Sequence, residues 1–112
     1  LELDVLRSRG MLFQEVSGGY VQNIYTLKVL NMDKQDRVYN VQVTGLPDYR
    51  MAPGEPIFVS AGEIGEVVLN LLVNPDLLTQ VNTPIRFEVQ TEDGELQASS
   101  KSTYIGPRPI DD

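Results

Sequence analysis

Apolar and polar residues alternate along this chain in several separate blocks. Tyr25, Leu27 and Val29 alternate with Thr26, Lys28 and Leu30; Tyr39, Val41 and Val43 alternate with Asn40, Gln42 and Thr44; Ile85, Phe87 and Val89 alternate with Arg86, Glu88 and Gln90. Alternation with a period of two sends successive side chains to opposite faces of an extended strand, one set to a core and the other to water. Glu66–Val73 carries the same pattern, with Val67, Leu69, Leu71 and Val73 on one face. No stretch sustains a helical period, which argues against an α/β fold. The pattern predicts an all-β chain, an immunoglobulin-like β-sandwich of two antiparallel sheets with seven to eight strands. A small β-barrel is the alternative. Tyr25, Leu27, Val29, Tyr39, Val41, Val43, Leu69, Leu71, Phe87 and Val89 are expected to share one core.

The breaks between blocks set the boundaries. Strands are predicted over Leu3–Arg7, Tyr20–Met32, Val38–Gly45, Pro56–Ala61, Glu66–Val73, Pro84–Thr91 and Leu96–Ile105, with Leu12–Val16 also extended. Gly10 permits a kink, so the first two extended lengths read as one edge strand that switches sheets. Ser17-Gly18-Gly19 is a turn, Gly62–Gly65 is another, and Leu46 opens a loop that runs through Met51, Pro53 and Gly54. Asn74 followed by Pro75 has the form of a helix cap and first helical position, predicting one short turn over Pro75–Thr79. Asp93-Gly94 predicts a tight hairpin of type I′, which needs positive φ at both central residues. Residues 106–112 read as a flexible tail.

A chain of 112 residues fits one domain, residues 1–112. The antibody-type Cys–Trp–Cys set is absent, and Val81-Asn82-Thr83-Pro84 stands where a corner tyrosine would precede the penultimate strand. The sandwich is therefore expected to be disulfide-free. No apolar run is long enough to span a bilayer. The chain opens Leu1-Glu2-Leu3-Asp4, with no signal-peptide pattern, and without an initiator Met it reads as part of a longer protein. Net charge is −7 and the pI is about 4.4. Nucleic acid and anionic lipid need clustered Lys and Arg, so neither is an expected partner.

The chain has no His and no Cys, which removes imidazole and thiolate ligands together and leaves no expected metal or cofactor site. Asp33, Asp36, Asp48, Glu92, Asp93 and Glu95 fall in or beside loops, but Asp33-Lys34-Gln35-Asp36 lacks the spacing of a calcium loop and reads as solvated turns. Glu66 and Glu88 form no evident acid/base pair. Ser99, Ser100, Ser102 and Thr103 alternate faces on one strand, with no His to serve as base and no nucleophile elbow. Lys28 and Lys101 are expected on exposed strand faces rather than buried beside a serine. A polar last strand marks a protected sheet edge. Met11, Met32 and Met51 could offer soft sulfur to cuprous copper, against the ordinary role of gap-filling. Tyr20, Tyr49 and Tyr104 lie near strand ends and could mark a contact surface. No enzyme is expected.

The run Leu3-Asp4-Val5-Leu6-Arg7-Ser8-Arg9-Gly10, then Leu12-Phe13, then Asn23-Ile24-Tyr25-Thr26-Leu27-Lys28-Val29-Leu30-Asn31, is distinctive. Tyr39-Asn40-Val41-Gln42-Val43-Thr44-Gly45-Leu46 adds to it. Together they resemble the C-terminal Ig-like domain of the FixG/CcoG family, the bacterial cytochrome c oxidase accessory proteins. The resemblance covers nearly the whole chain and is densest over residues 3–46. It implies a parent anchored in the inner membrane by upstream spans and carrying iron–sulfur clusters on upstream cysteines, which supports assembly of a haem-copper oxidase. It places this domain on the periplasmic side. The residues in hand carry no cluster ligand, so the resemblance implies a non-catalytic accessory role here, with oxidase subunits or copper-delivery proteins as partners. Weak copper binding through the methionines and a generic adhesion-type Ig-like module are the alternatives.

Overall fold

Each alternating block has one apolar face, and two sheets form by burying those faces against each other. The computed structural model describes residues 1–8, 10 and 13–108. Expectations that fall on Leu12 and on residues 109–112 lie outside the described residues. Nine strands appear: β1 (Glu2–Arg7), β2 (Gln14–Val16), β3 (Tyr20–Leu30), β4 (Arg37–Thr44), β5 (Tyr49–Ala52), β6 (Ile57–Val59), β7 (Ile64–Val73), β8 (Asn82–Thr91) and β9 (Gln97–Ile105). The first sheet runs β1-β3-β7-β5, with β2 also paired to β3; the second runs β6-β4-β8-β9. Every pairing is antiparallel.

Three expectations about the strands need correction. The first extended segment does not switch sheets. β1 pairs with Tyr25–Leu30 and β2 with Tyr20–Gln22, so both lie along the same edge of β3. The loop expected from Leu46 to Gly54 contains β5, which pairs with Asn70–Val73 of β7. Its alternation is short and lies between Pro47 and Pro53, which hid it. Gly65 is a strand residue, not a turn residue. β7 passes so close to β6 there that a Cβ on Gly65 would sit 2.5 Å from Val59 Cγ2.

The predicted helical turn is a single 3-10 turn, Pro75–Leu77, with Asn74 Oδ1 accepting from the Asp76 amide. β3 stops one residue before Asn31, a fully buried residue that organises the next loop. Its Nδ2 donates to Gln35 O at 2.8 Å and Val59 O at 3.0 Å, and its Oδ1 accepts from Asp33 N.

The β8–β9 connection is a hairpin, but not of the tight type. Gly94 has φ +73°, while no described non-glycine residue has positive φ, so Asp93 does not adopt the type I′ geometry. The loop is wider: Gly94 N donates to Thr91 O, and Thr91 N donates to Leu96 O. The Asp93 carboxylate accepts from Thr91 Oγ1 and Glu95 N, and these bonds hold its carboxyl below the usual carboxylate range. A Cβ on Gly94 would meet nothing within 4 Å, so only the backbone resists a side chain there. Gly94→Val is expected to cost about 1–2 kcal/mol. An unchanged melting temperature in a thermal scan would show that the loop does not need the left-handed residue.

The interior is two adjoining clusters rather than the single core expected. One gathers Val21, Tyr25, Leu27, Val43, Leu69, Leu71, Phe87 and Tyr104 among others; the second gathers Val29, Tyr39, Ile57, Val59 and Val89. Leu3, Val41 and Val67 pack against both and join them. Of the ten residues predicted for the core, nine are buried and Val41 is half-buried. Tyr25 and Phe87 meet edge to face between the sheets, centroids 4.9 Å apart and planes at 61°.

Candidate docking surface

The outer faces of the two sheets differ in character. On the second sheet, the outward positions of β4, β8 and β9 include Asn40, Gln42, Thr44, Arg86, Glu88, Gln90, Gln97, Ser99 and Lys101, with apolar exposure confined to the Val38–Phe58 pair at the β6 edge. On the first sheet the outward phase mixes aliphatic residues with polar ones such as Gln22, Thr26, Lys28, Glu66 and Asn70. Leu6 is 47% exposed, Ile64 63% and Val68 54%, and Ile24, Leu30 and Leu72 lie half-buried among them.

The registers set these residues in rows across the sheet. Leu30 pairs with Ile64, Leu6 with Thr26 and Thr26 with Val68. One charged row, Asp4–Lys28–Glu66, crosses between the aliphatic ones, with Glu2 at its margin. The face therefore combines exposed aliphatic area with a local excess of acid. Large apolar area on an outer face marks a surface that another molecule covers.

At the β2 end of this face lies a hollow of about 130 Å³ lined by Tyr20, Asp48, Tyr49, Arg50, Leu72, Asn74 and Leu77. Arg50 pairs with Leu72 across β5 and β7, and its guanidinium lies over the Tyr20 ring, 5.0 Å from the centroid. Tyr49 is turned the other way: it packs on the core, and its hydroxyl accepts from Val43 N at 3.1 Å. Tyrosine and arginine are among the residue types enriched at protein-contact hot spots.

Tyr104 does not belong to any contact surface. It is fully buried, and its hydroxyl donates to Val21 O on β3. It is part of a polar clasp between the sheets. Asn23 on β3 donates from Nδ2 to Ile105 O at 2.7 Å, and its Oδ1 accepts from Ile105 N at 2.9 Å. The carboxamide thus pairs with β9 as a peptide unit would. Tyr25 Oη donates to Thr103 O at 2.8 Å. Burial pushes the Tyr104 phenol up to about 12, and raises that of Tyr25 further. Of the three tyrosines singled out at strand ends, Tyr20 and Tyr49 meet at the hollow and Tyr104 does not.

The remaining candidate residues take structural or solvent positions. Asp33 pairs with Arg37 at 2.6 Å, which holds its carboxyl below the usual range. Asp36 accepts from Ala61 N. Ser99 is exposed and accepts from Arg86 Nη1, while Ser100 and Ser102 are half-buried on the opposite phase. Lys28 lies on the outer face of the first sheet and Lys101 is exposed on the second. Glu66 is exposed on the first sheet and Glu88 half-buried on the second. Among the described residues, no cluster of three or more Asp, Glu, His or Cys side chains is placed to hold a metal ion. Met32 lies 62% exposed beyond the end of β3, while Met51 pairs with Leu71 on β5. The pairing of Leu30 with Ile64 puts Met32 near the start of β7, so the two sulfurs are separated by most of that strand, on the order of 20 Å. Met11 lies outside the described residues.

Comparison with known proteins assigns the chain. Residues 1–107 match a family model described as "IG-like fold at C-terminal of FixG, putative oxidoreductase". The chain belongs to the FixG family. Its fold is similar to the crystal structure of a FixG-related protein from Vibrio parahaemolyticus, with TM-score 0.82 and 33% sequence identity over 92% of this chain and 93% of that one. No curated protein matches the sequence. The FixG C-terminal domain is thus an Ig-like sandwich, and the resemblance carried by Leu3–Leu46 holds over almost the full length.

Proposed function

We propose that this FixG domain is a non-catalytic docking module of a membrane-anchored iron–sulfur redox protein that supports assembly of a haem-copper cytochrome oxidase. The observation that carries the reading is the aliphatic outer face of the first sheet, set against the polar face of the second. Its occupant is a partner protein whose contact surface is apolar with cationic side chains at its rim. Charge complementarity supports this choice: Glu2, Asp4 and Glu66 outnumber Lys28 and Arg50 on the face, and the whole chain carries −7. An anionic bilayer or a second copy of the same acidic face would be repelled. Family membership favours oxidase subunits or copper-delivery proteins as that partner, on the periplasmic side. On this reading the parent's iron–sulfur clusters sit on upstream cysteines; this chain has no Cys.

Two variants of the full-length parent test this. Deleting residues 1–112 should leave cluster content unchanged and lower the yield of assembled oxidase. Val68→Asp, which places a charge in the middle of the aliphatic face, should lower oxidase yield at least several-fold while the melting temperature of the domain holds. Gln42→Asp on the other sheet should do neither. Loss of the clusters on deletion, or equal effects of the two point variants, would sink the docking reading.

A further inference from the structure

We infer that the hollow at Tyr20 and Arg50 binds a carboxylate carried on a short apolar stem. Arg50 forms no ion pair among the described residues, as is true of every described Lys and Arg except Arg37. Instead its guanidinium carbon lies 5.0 Å from the centroid of the Tyr20 ring, a cation–π contact that leaves the N–H groups at the guanidinium edge available to a ligand. A guanidinium stacked on a ring still presents its edge for two parallel bonds to a carboxylate.

The rest of the lining fits the same ligand. Leu72 and Leu77 offer apolar wall, and Leu77 is 44% exposed at the mouth. Asn74 has its Oδ1 engaged by Asp76 N, which leaves its Nδ2 as a donor at the rim. The hollow is small, about 130 Å³. That is room for one carboxyl group and a short stem, not for a nucleotide or a haem. Asp48 in the lining disfavours multiply charged anions and weakens even a single one. The carboxylate can come from the end of a polypeptide or from an Asp or Glu side chain; the chemistry is shared.

The inference stands on these residues alone and does not require the wider aliphatic face to be occupied. It is tested on the isotope-labelled domain by titration with N-acetyl-leucine, N-acetyl-leucinamide and N-acetyl-glutamate blocked as its α-amide, following amide chemical shifts. N-acetyl-leucine should give saturable shifts at Tyr20, Tyr49, Arg50 and the Asn74 side chain, and its amide should not. Response to N-acetyl-leucine alone assigns a chain terminus, and response to the blocked glutamate assigns an acidic side chain. Arg50→Ala should weaken binding roughly tenfold or more, and Arg50→Lys about threefold, because lysine keeps the charge and loses the fork. Asp48→Asn should tighten it about threefold by removing a like charge. Val68→Asp should leave it intact, so failure of the wider docking face and failure of this site are told apart. Equal binding of acid and amide, shifts centred elsewhere, or an Arg50→Ala variant that binds normally would overturn the inference.

Discussion

Phe87→Ala is expected to destabilise the domain by about 3–5 kcal/mol, enough to threaten folding in a domain whose total stability is of order 5–15 kcal/mol. Phe87 is completely buried on β8 and meets Tyr25 of β3 edge to face. Removing the ring loses its transfer free energy, leaves a cavity and removes the aromatic partner of a second buried ring. The surroundings are poorly able to collapse into the gap, because Tyr25 is tied to Thr103 O and cannot follow. Phe58→Ala is the matched control: the same side chain is deleted where it is 63% exposed, and the expected change is within about 0.5 kcal/mol. Urea denaturation of the three proteins checks this. A cost for Phe87→Ala close to that of Phe58→Ala would mean that the two sheets are not held together at this contact.

That contact also explains how the sandwich dispenses with a disulfide. In antibody domains the bridge joins the second strand to the penultimate one across the sheets. Here the corresponding strands are β3 and β8, and Tyr25 and Phe87 join them. The pairing was foreshadowed by the sequence, since both residues occupy the inward phase of strictly alternating blocks. Strands of this kind were legible because many consecutive positions vote for one face. β5 was not, since Tyr49–Ala52 offers two alternations between prolines, and its identity as a strand comes from the free edge of β7. The two-residue hairpin was misjudged for a related reason. Asp-Gly is compatible with several loops, and the side-chain bonds of Asp93 to Thr91 and Glu95 favour the wider one.

The exposed aliphatic residues of the first sheet were visible in principle. Leu6, Ile24, Leu30, Val68 and Leu72 all fall on the outward phase of otherwise well-patterned strands, and an apolar residue in that phase is the signal of a covered surface. What no pattern could show is that three separate strands bring Leu6, Val68, Ile24 and Leu72 into successive rows, with the charged row setting Leu30 apart, because register is a tertiary property. The hollow is a stronger case. Tyr20, Arg50 and Asn74 are far apart in the chain, and only the pairing of β7 with both β3 and β5 brings them together.

The buried clasp was hidden more completely, and its removal is the second large effect expected. Asn23→Ala should cost about 2–4 kcal/mol, because it orphans both the N–H and the C=O of Ile105 in a site where Asn23 is only 2% exposed. Asn23→Asp should also destabilise, since a carboxylate cannot donate to Ile105 O and burial in a dry site penalises its charged form. The phenols beside it give the clasp a pH dependence. Tyr104 donates to Val21 O and Tyr25 to Thr103 O, and burial raises the pKa of both above the ordinary 10.0. The unfolded chain releases these protons near pH 10 while the folded chain retains them, so this stability is complete below about pH 10 and is lost as pH rises toward 12 and beyond. Urea midpoints measured at about pH 9 and about pH 11 should therefore fall for the natural chain, and fall less for Tyr104→Phe, which has one phenol fewer to ionise. A midpoint that holds steady across that interval would show that the hydroxyls are free to ionise in the folded state, and that β9 is held to β3 by something other than these bonds.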